Sequence, residues 1–236
     1  MQGLTGIPTL ETTAMDLTRI GLDGTWSVAG WALAVALLVL AVARAPWSRF
    51  RDGEQVHVWY GSIFTLVVLW NIQATVGEGF TFHLLGVAAL TLIAGVPLAL
   101  VGSALAVAIV AGVVRGGEWA SLGTAWCTMC AVPVAVTWTV LRIAERRLPP
   151  NFFVYVFVAT FFGAALSAAA AGLTGALALT LGAGRPAAVV FGDYVPYLLY
   201  LAFGEATLTG MALTLMVVYR PHWVETFDDA RYIMGR

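Results

Sequence analysis

Between Trp26 and Tyr219 the sequence runs through seven apolar stretches, most of them near the roughly 20 residues that a bilayer-crossing helix needs, and that repetition leaves few folds open. The stretches are Trp26 to Ala43, His57 to Val76, His83 to Gly95, Pro97 to Val114, Leu122 to Ala144, Phe152 to Leu181 and Phe191 to Tyr219. A water-soluble chain of 236 residues has no use for so much apolar surface. Hydrophobic residues make up 60% of the chain, charged residues 11%, and the mean hydropathy is +0.87. We read an all-α integral membrane protein of about seven transmembrane helices. Residues 1–25 form an extracytoplasmic N-terminal segment, 26–219 the helical domain, and 220–236 a cytoplasmic C-terminal tail.

The third stretch, His83 to Gly95, falls short of a full crossing. It tilts, joins the fourth stretch through the Val96-Pro97 break, or enters the membrane only partway. Short or broken helices are tolerated at membrane depth where they line a cavity or are buried in protein, which makes this stretch either the place for a site or a kinked pair packed for shape.

All 12 basic residues are arginine. Without a lysine amine the chain cannot form a retinal Schiff base, work as a pyridoxal enzyme or carry a Walker-A ATPase motif, so any ATP hydrolysis has to come from another subunit. The arginines also orient the chain. With the N-terminus outside and every stretch crossing, Arg44, Arg49, Arg51, Arg142, Arg146, Arg147, Arg220, Arg231 and Arg236 face the cytoplasm, against Arg19, Arg115 and Arg185 outside. The signs agree only if the short third stretch counts as a crossing. The first 25 residues lack the basic-then-apolar order of a cleavable signal, so the first helix is the expected insertion signal, and Met15 is an alternative start.

Small residues mark packing faces. Gly163, Ser167, Ala171 and Gly175 recur every four residues in the sixth stretch, a ribbon for close helix approach, and Ala32 and Ala36 form a small face on the first helix that could receive a partner. The tail "RPHWVETFDDARYIMGR" mixes Trp223, Phe227 and Tyr232 with Arg220 and Arg231, as a membrane-surface segment would.

Few groups could do chemistry. His83 stands at the outer end of the third stretch with Glu78 five residues before it, and imidazole with a carboxylate nearby is a transition-metal donor pair or a hydrogen-bonded structural one. Cys127 and Cys130 share a helical face in "GTAWCTMCAVP" and read three ways: a soft-metal site, a disulfide or redox pair, or small apolar fillers. Glu205 lies within the last helix, where a carboxylate needs a polar interior or a network with Thr207, Thr209 or Asn71. His57 and His222 lie at the cytoplasmic edge.

Three stretches, "FHLLGVAALTLIAGVPLALV", "GGEWASLGTAWCTMCAVPVAVTWTVLRIAERR" and "LLYLAFGEATLTGMALTLMVVYRP", resemble in order and spacing the CbiM-type permeases of energy-coupling-factor (ECF) transporters for cobalt and nickel, over roughly Trp26 to Pro221. The resemblance implies an S-component-like bundle that captures substrate and is not itself an enzyme. Its partners would be a coupling transmembrane subunit, cytoplasmic ATPase subunits and membrane lipid, with no nucleic acid. It would sit in the bacterial inner membrane and take a transition-metal ion as substrate rather than as a permanently bound cofactor. His83 takes the position of the family's metal-holding histidine, and Glu205, in Gly204 to Gly210, that of a structural or gating carboxylate. Two departures stand out. The family's glycine-alanine-asparagine turn is Gly123, Thr124 and Ala125 here, and its opening methionine-histidine chelate is Met1-Gln2-Gly3, or Met15-Asp16-Leu17 from the later start. The lost chelate and nine tryptophans leave open capture of a small organic substrate such as a vitamin, and the thiols leave open a redox or structural membrane protein.

Overall fold

The computed structural model describes residues 22–51, 53–76, 80–114 and 119–232. Seven helical segments follow the seven apolar stretches: α1 (Gly24–Arg44), α2 (Gly53–Asn71), α3 (Val87–Ala94), α4 (Val96–Val114), α5 (Leu122–Arg147), α6 (Phe152–Leu181) and α7 (Ala187–Tyr219). Among the described residues α1, α4, α5, α6 and α7 are each long and apolar enough to cross a bilayer. The fold is an all-α membrane bundle. α2 has 19 residues and carries Glu54, Gln55 and His57 at its start, while α3 has only 8 and spans about 12 Å.

The segment boundaries shift by up to a few residues at several ends, and the change with a structural consequence is at the end of α2 and the start of α3. α2 stops at Asn71, and residues 74–76 pair antiparallel with residues 80–82, Ala74 opposite Phe82 and Val76 opposite Phe80. β-branched Thr75 and Val76, then glycines at 77 and 79, favour a hairpin over a continuing helix. As a result His83 lies before α3 rather than on it. α3 is bounded by two glycines with positive φ, Gly86 at +65° and Gly95 at +78°, a backbone that residues with a Cβ rarely adopt. Gly95 and Pro97 then turn the chain into α4, with Pro97 inside the first turn of that helix, where its missing N–H costs nothing.

The loops sort to two ends. At one, Arg49 pairs with Glu225 at 2.8 Å and donates to the Ala94 carbonyl at 3.4 Å, Gln55 donates to the His222 carbonyl at 2.7 Å, and Arg231 meets Glu145 at 3.3 Å. These contacts join the α1–α2 loop, the end of α3, the end of α5 and the tail. At the other end the Asp23 N–H donates to the Gly182 carbonyl at 2.9 Å, and the Trp31 indole to the Trp119 carbonyl at 2.9 Å. The C-terminus of α3 reaches the end that holds the α1–α2 loop, whereas the hairpin leads away from it, but with 8 residues α3 does not itself span a bilayer.

Packing accounts for the small residues. The ribbon Gly163, Ser167, Ala171 and Gly175 is buried and faces other helices of the bundle. On α1 the buried side is Ser27, Gly30, Ala34 and Ala41, whereas Ala32 and Ala36 lie on the exposed side. The tail is a different matter. Phe227 and Tyr232, read as membrane-surface aromatics, are buried with Val224 in a second core, against Leu92 and Ile93 of α3, Leu141 of α5, Tyr155 of α6 and Leu213 of α7. Tyr155 and Thr226 share a hydroxyl–hydroxyl hydrogen bond of 2.7 Å there, and burial pushes the Tyr232 phenol up to about 12. An apolar residue at the head of the tail and aromatics further along fill a gap that α3, being short, leaves at this end of the bundle.

Candidate metal-capture site

The segment from His83 to Gly86 links the hairpin to α3 and is held from both sides. From α2, the Trp70 indole N–H donates to the Leu85 carbonyl at 2.9 Å, and the ring lies 5.9 Å from the His83 imidazole. From α7, the Glu205 carboxylate accepts the N–H groups of Leu85 and Gly86, the latter at 3.0 and 3.1 Å from its two oxygens. Glu205 is 1% exposed. A carboxylate is acceptor-only and so suits two adjacent backbone donors, and at the N-terminus of α3 it also faces the positive end of the helix dipole. The network foreseen for Glu205 with side chains is instead made with the backbone. Thr207 bonds back to the Phe203 carbonyl at 2.9 Å and Asn71 to the Val67 carbonyl at 2.7 Å.

His83 is 4% exposed, and its Nδ1 lies 3.2 Å from the Leu84 carbonyl. That contact is a hydrogen bond in the tautomer with the proton on Nδ1, which leaves a lone pair on Nε2, one of the two nitrogens by which a neutral imidazole binds a metal ion. Glu78, the N-terminal residues Met1 to Gly3, and Met15 lie outside the described residues. Among the described residues no three of His, Cys, Asp and Glu converge as a metal-ligand cluster.

Cys127 and Cys130 sit in a π-helical turn, Cys127–Ala131, within α5. Both are free and buried. The Cys127 thiol faces the Gly30 carbonyl of α1 at 3.7 Å, and Cys130, fully enclosed, faces the Ser103 side chain of α4. Each therefore serves as a small, weakly polar packing group between helices, and no disulfide joins them. Sequence reasoning missed Trp70. One of nine tryptophans, at the end of an apolar stretch, it gave no signal that set it apart from an interfacial anchor.

The family model for the cobalt uptake substrate-specific transmembrane region matches residues 20–223. No curated protein matches the chain. Two crystal structures share its fold: a truncated transition metal transporter at a TM-score of 0.73, covering 85% of this chain and 99% of its own, and a transition metal transporter at 0.69, covering 83% and 89%. Each is 19% identical to this chain, so the likeness is one of fold.

Proposed function

The chain belongs to the family of cobalt uptake substrate-specific transmembrane regions, a metal-ion uptake membrane subunit, and from that premise we propose that His83 helps to hold the captured ion. The observation that carries this reading is the clamped segment 83–86. A buried imidazole, its Nδ1 facing a carbonyl, stands between a hairpin and a half-length helix, the kind of irregular backbone that is tolerated in a membrane protein where it lines a site.

The ion is a borderline divalent one, cobalt(II) or nickel(II), which nitrogen donors suit. Glu78, five residues before His83 in the sequence, supplies a further donor. Cys127 and Cys130 take no part, because each thiol is engaged on another helix. The subunit works in an ECF arrangement, in which a coupling transmembrane subunit and cytoplasmic ATPases supply the energy that this lysine-free chain cannot. It lies in the bacterial inner membrane with the arginine-rich end in the cytoplasm and the hairpin toward the outside, so that His83 meets the ion on arrival.

Titration of the detergent-solubilised protein with cobalt(II) and nickel(II) tests this. We expect saturable binding that His83→Ala reduces by at least ~10-fold with the fold retained. Unchanged binding in that variant would sink the assignment.

A further inference from the structure

The clamp on segment 83–86 reaches back beyond the start of α3. The first backbone N–H groups of α3, as of any helix, have no intrahelical acceptor, and Gly86 is its cap residue. The cap N–H and also that of Leu85 before it meet a carboxylate from another helix, 120 residues along the chain and 1% exposed. An ionisable side chain in such a position is costly unless it serves a specific purpose.

The donors are not arbitrary. They belong to Leu85 and Gly86, two and three residues after His83. Leu85 is gripped on both sides, its N–H by Glu205 and its C=O by Trp70, so the peptide planes either side of it cannot rotate independently. Gly86 follows with φ +65°, a conformation reached at little cost by glycine and fixed here by the same carboxylate. The Leu84 carbonyl, which Nδ1 of His83 faces, lies in the same peptide plane as the Leu85 N–H that Glu205 holds.

We infer that Glu205 is a positioning residue for His83: by holding the Leu85 and Gly86 N–H groups it fixes the turn that aims the imidazole, and so sets the affinity for the ion without touching it. This rests on the reading of His83 as a metal-holding residue. Glu205 acts on the ligand through the backbone, as outer hydrogen-bond partners in metal sites act through a ligand's second ring nitrogen, and such partners are typically worth 10–100-fold in affinity.

The test compares Glu205→Gln with wild type in cobalt(II) titrations of the detergent-solubilised protein, read by calorimetry and by the ligand-field absorption of bound cobalt(II). The amide keeps the shape but offers one acceptor oxygen in place of two and sets an NH2 group against a backbone N–H, that of Gly86 if the oxygen takes the place of Oε1. We expect affinity to fall about 10–100-fold and the absorption bands to shift, because the imidazole no longer holds one direction. A folded but merely less stable protein would keep the wild-type spectrum. Wild-type affinity and spectrum in folded Glu205→Gln overturn the inference. Should that variant fail to fold, Trp70→Phe, which frees the Leu85 carbonyl on the opposite side and keeps an aromatic ring beside His83, decides the matter: weakened affinity with shifted bands supports it, and no change in either overturns it. His83→Ala separates the two levels. Lost binding there with Glu205→Gln unaltered removes the positioning role alone, whereas retained binding in His83→Ala removes the metal reading and this inference with it.

Discussion

A single buried side chain is judged by what it touches, and the two cysteines show how much that decides. With Cys127 against the Gly30 carbonyl and Cys130 enclosed beside Ser103, replacing both with alanine removes two small packing groups and, on the reading proposed above, no ligand. We expect cobalt(II) affinity in the Cys127→Ala, Cys130→Ala protein to stay within about twofold of wild type, as for independent sites. A loss much beyond that in the same titration would return the thiols to the site. Glu205 shows the limit of reading residues from sequence. Its presence within an apolar helix marked it as costly and therefore purposeful, but its partners are backbone N–H groups, which every residue except proline carries. No pattern of side chains could point to Leu85 and Gly86. The choice of His83 came from residue type and neighbourhood, and the structure adds its burial and the clamp around it.

At the scale of elements, most of the layout was legible because length and hydropathy are set by the bilayer rather than by details of packing. α6 spans Phe152–Leu181 as its apolar stretch does, and the short third segment is short in the structure too. The hairpin was not legible as such, since Thr75, Val76 and the apolar residues of 80–82 extend the hydropathy of their flanking stretches and hide a change of backbone. The contact between α1 and α5 was half legible. Gly123 was noted only as the glycine of a turn motif that lacks its asparagine here, whereas the structure brings its backbone against α1 so closely that an added Cβ would lie 2.6 Å from the Trp31 nitrogen and 2.9 Å from the Gly30 carbonyl carbon. Backbone cannot step aside as a flexible side chain can. Gly123→Ala should therefore destabilise the bundle by about 1–3 kcal/mol or more. A thermal-shift assay in detergent should show this as a Tm several degrees lower. An unchanged Tm would mean that α1 can slide without penalty.

For the whole molecule, the tail belongs to the fold. Its Glu225 and Thr226 N–H groups donate to the Ile93 and Leu92 carbonyls at 3.0 and 3.3 Å, and the Thr226 hydroxyl to Leu92 at 2.9 Å, satisfying carbonyls at the C-terminal end of α3 that would otherwise have no intrahelical partner. Removing residues 220–236 should lower the Tm and abolish cobalt(II) capture together, which size-exclusion chromatography and titration of the truncated protein would report. Full capture by a stable truncated protein would show the tail to be an appendage after all. Sequence reading treated it as a surface segment because aromatics beside arginines suit a membrane interface and a protein core equally well. α3 is thus suspended between α7 at one end and the tail at the other, partners 120 and 134 residues later in the chain. The ribosome delivers the third helix long before either hold exists. During synthesis it must wait, and segment 83–86 can take its clamped shape only as the last helix and the tail emerge. A nascent chain stalled just before residue 205 would have most of its helices in place but would lack the carboxylate that holds the start of α3.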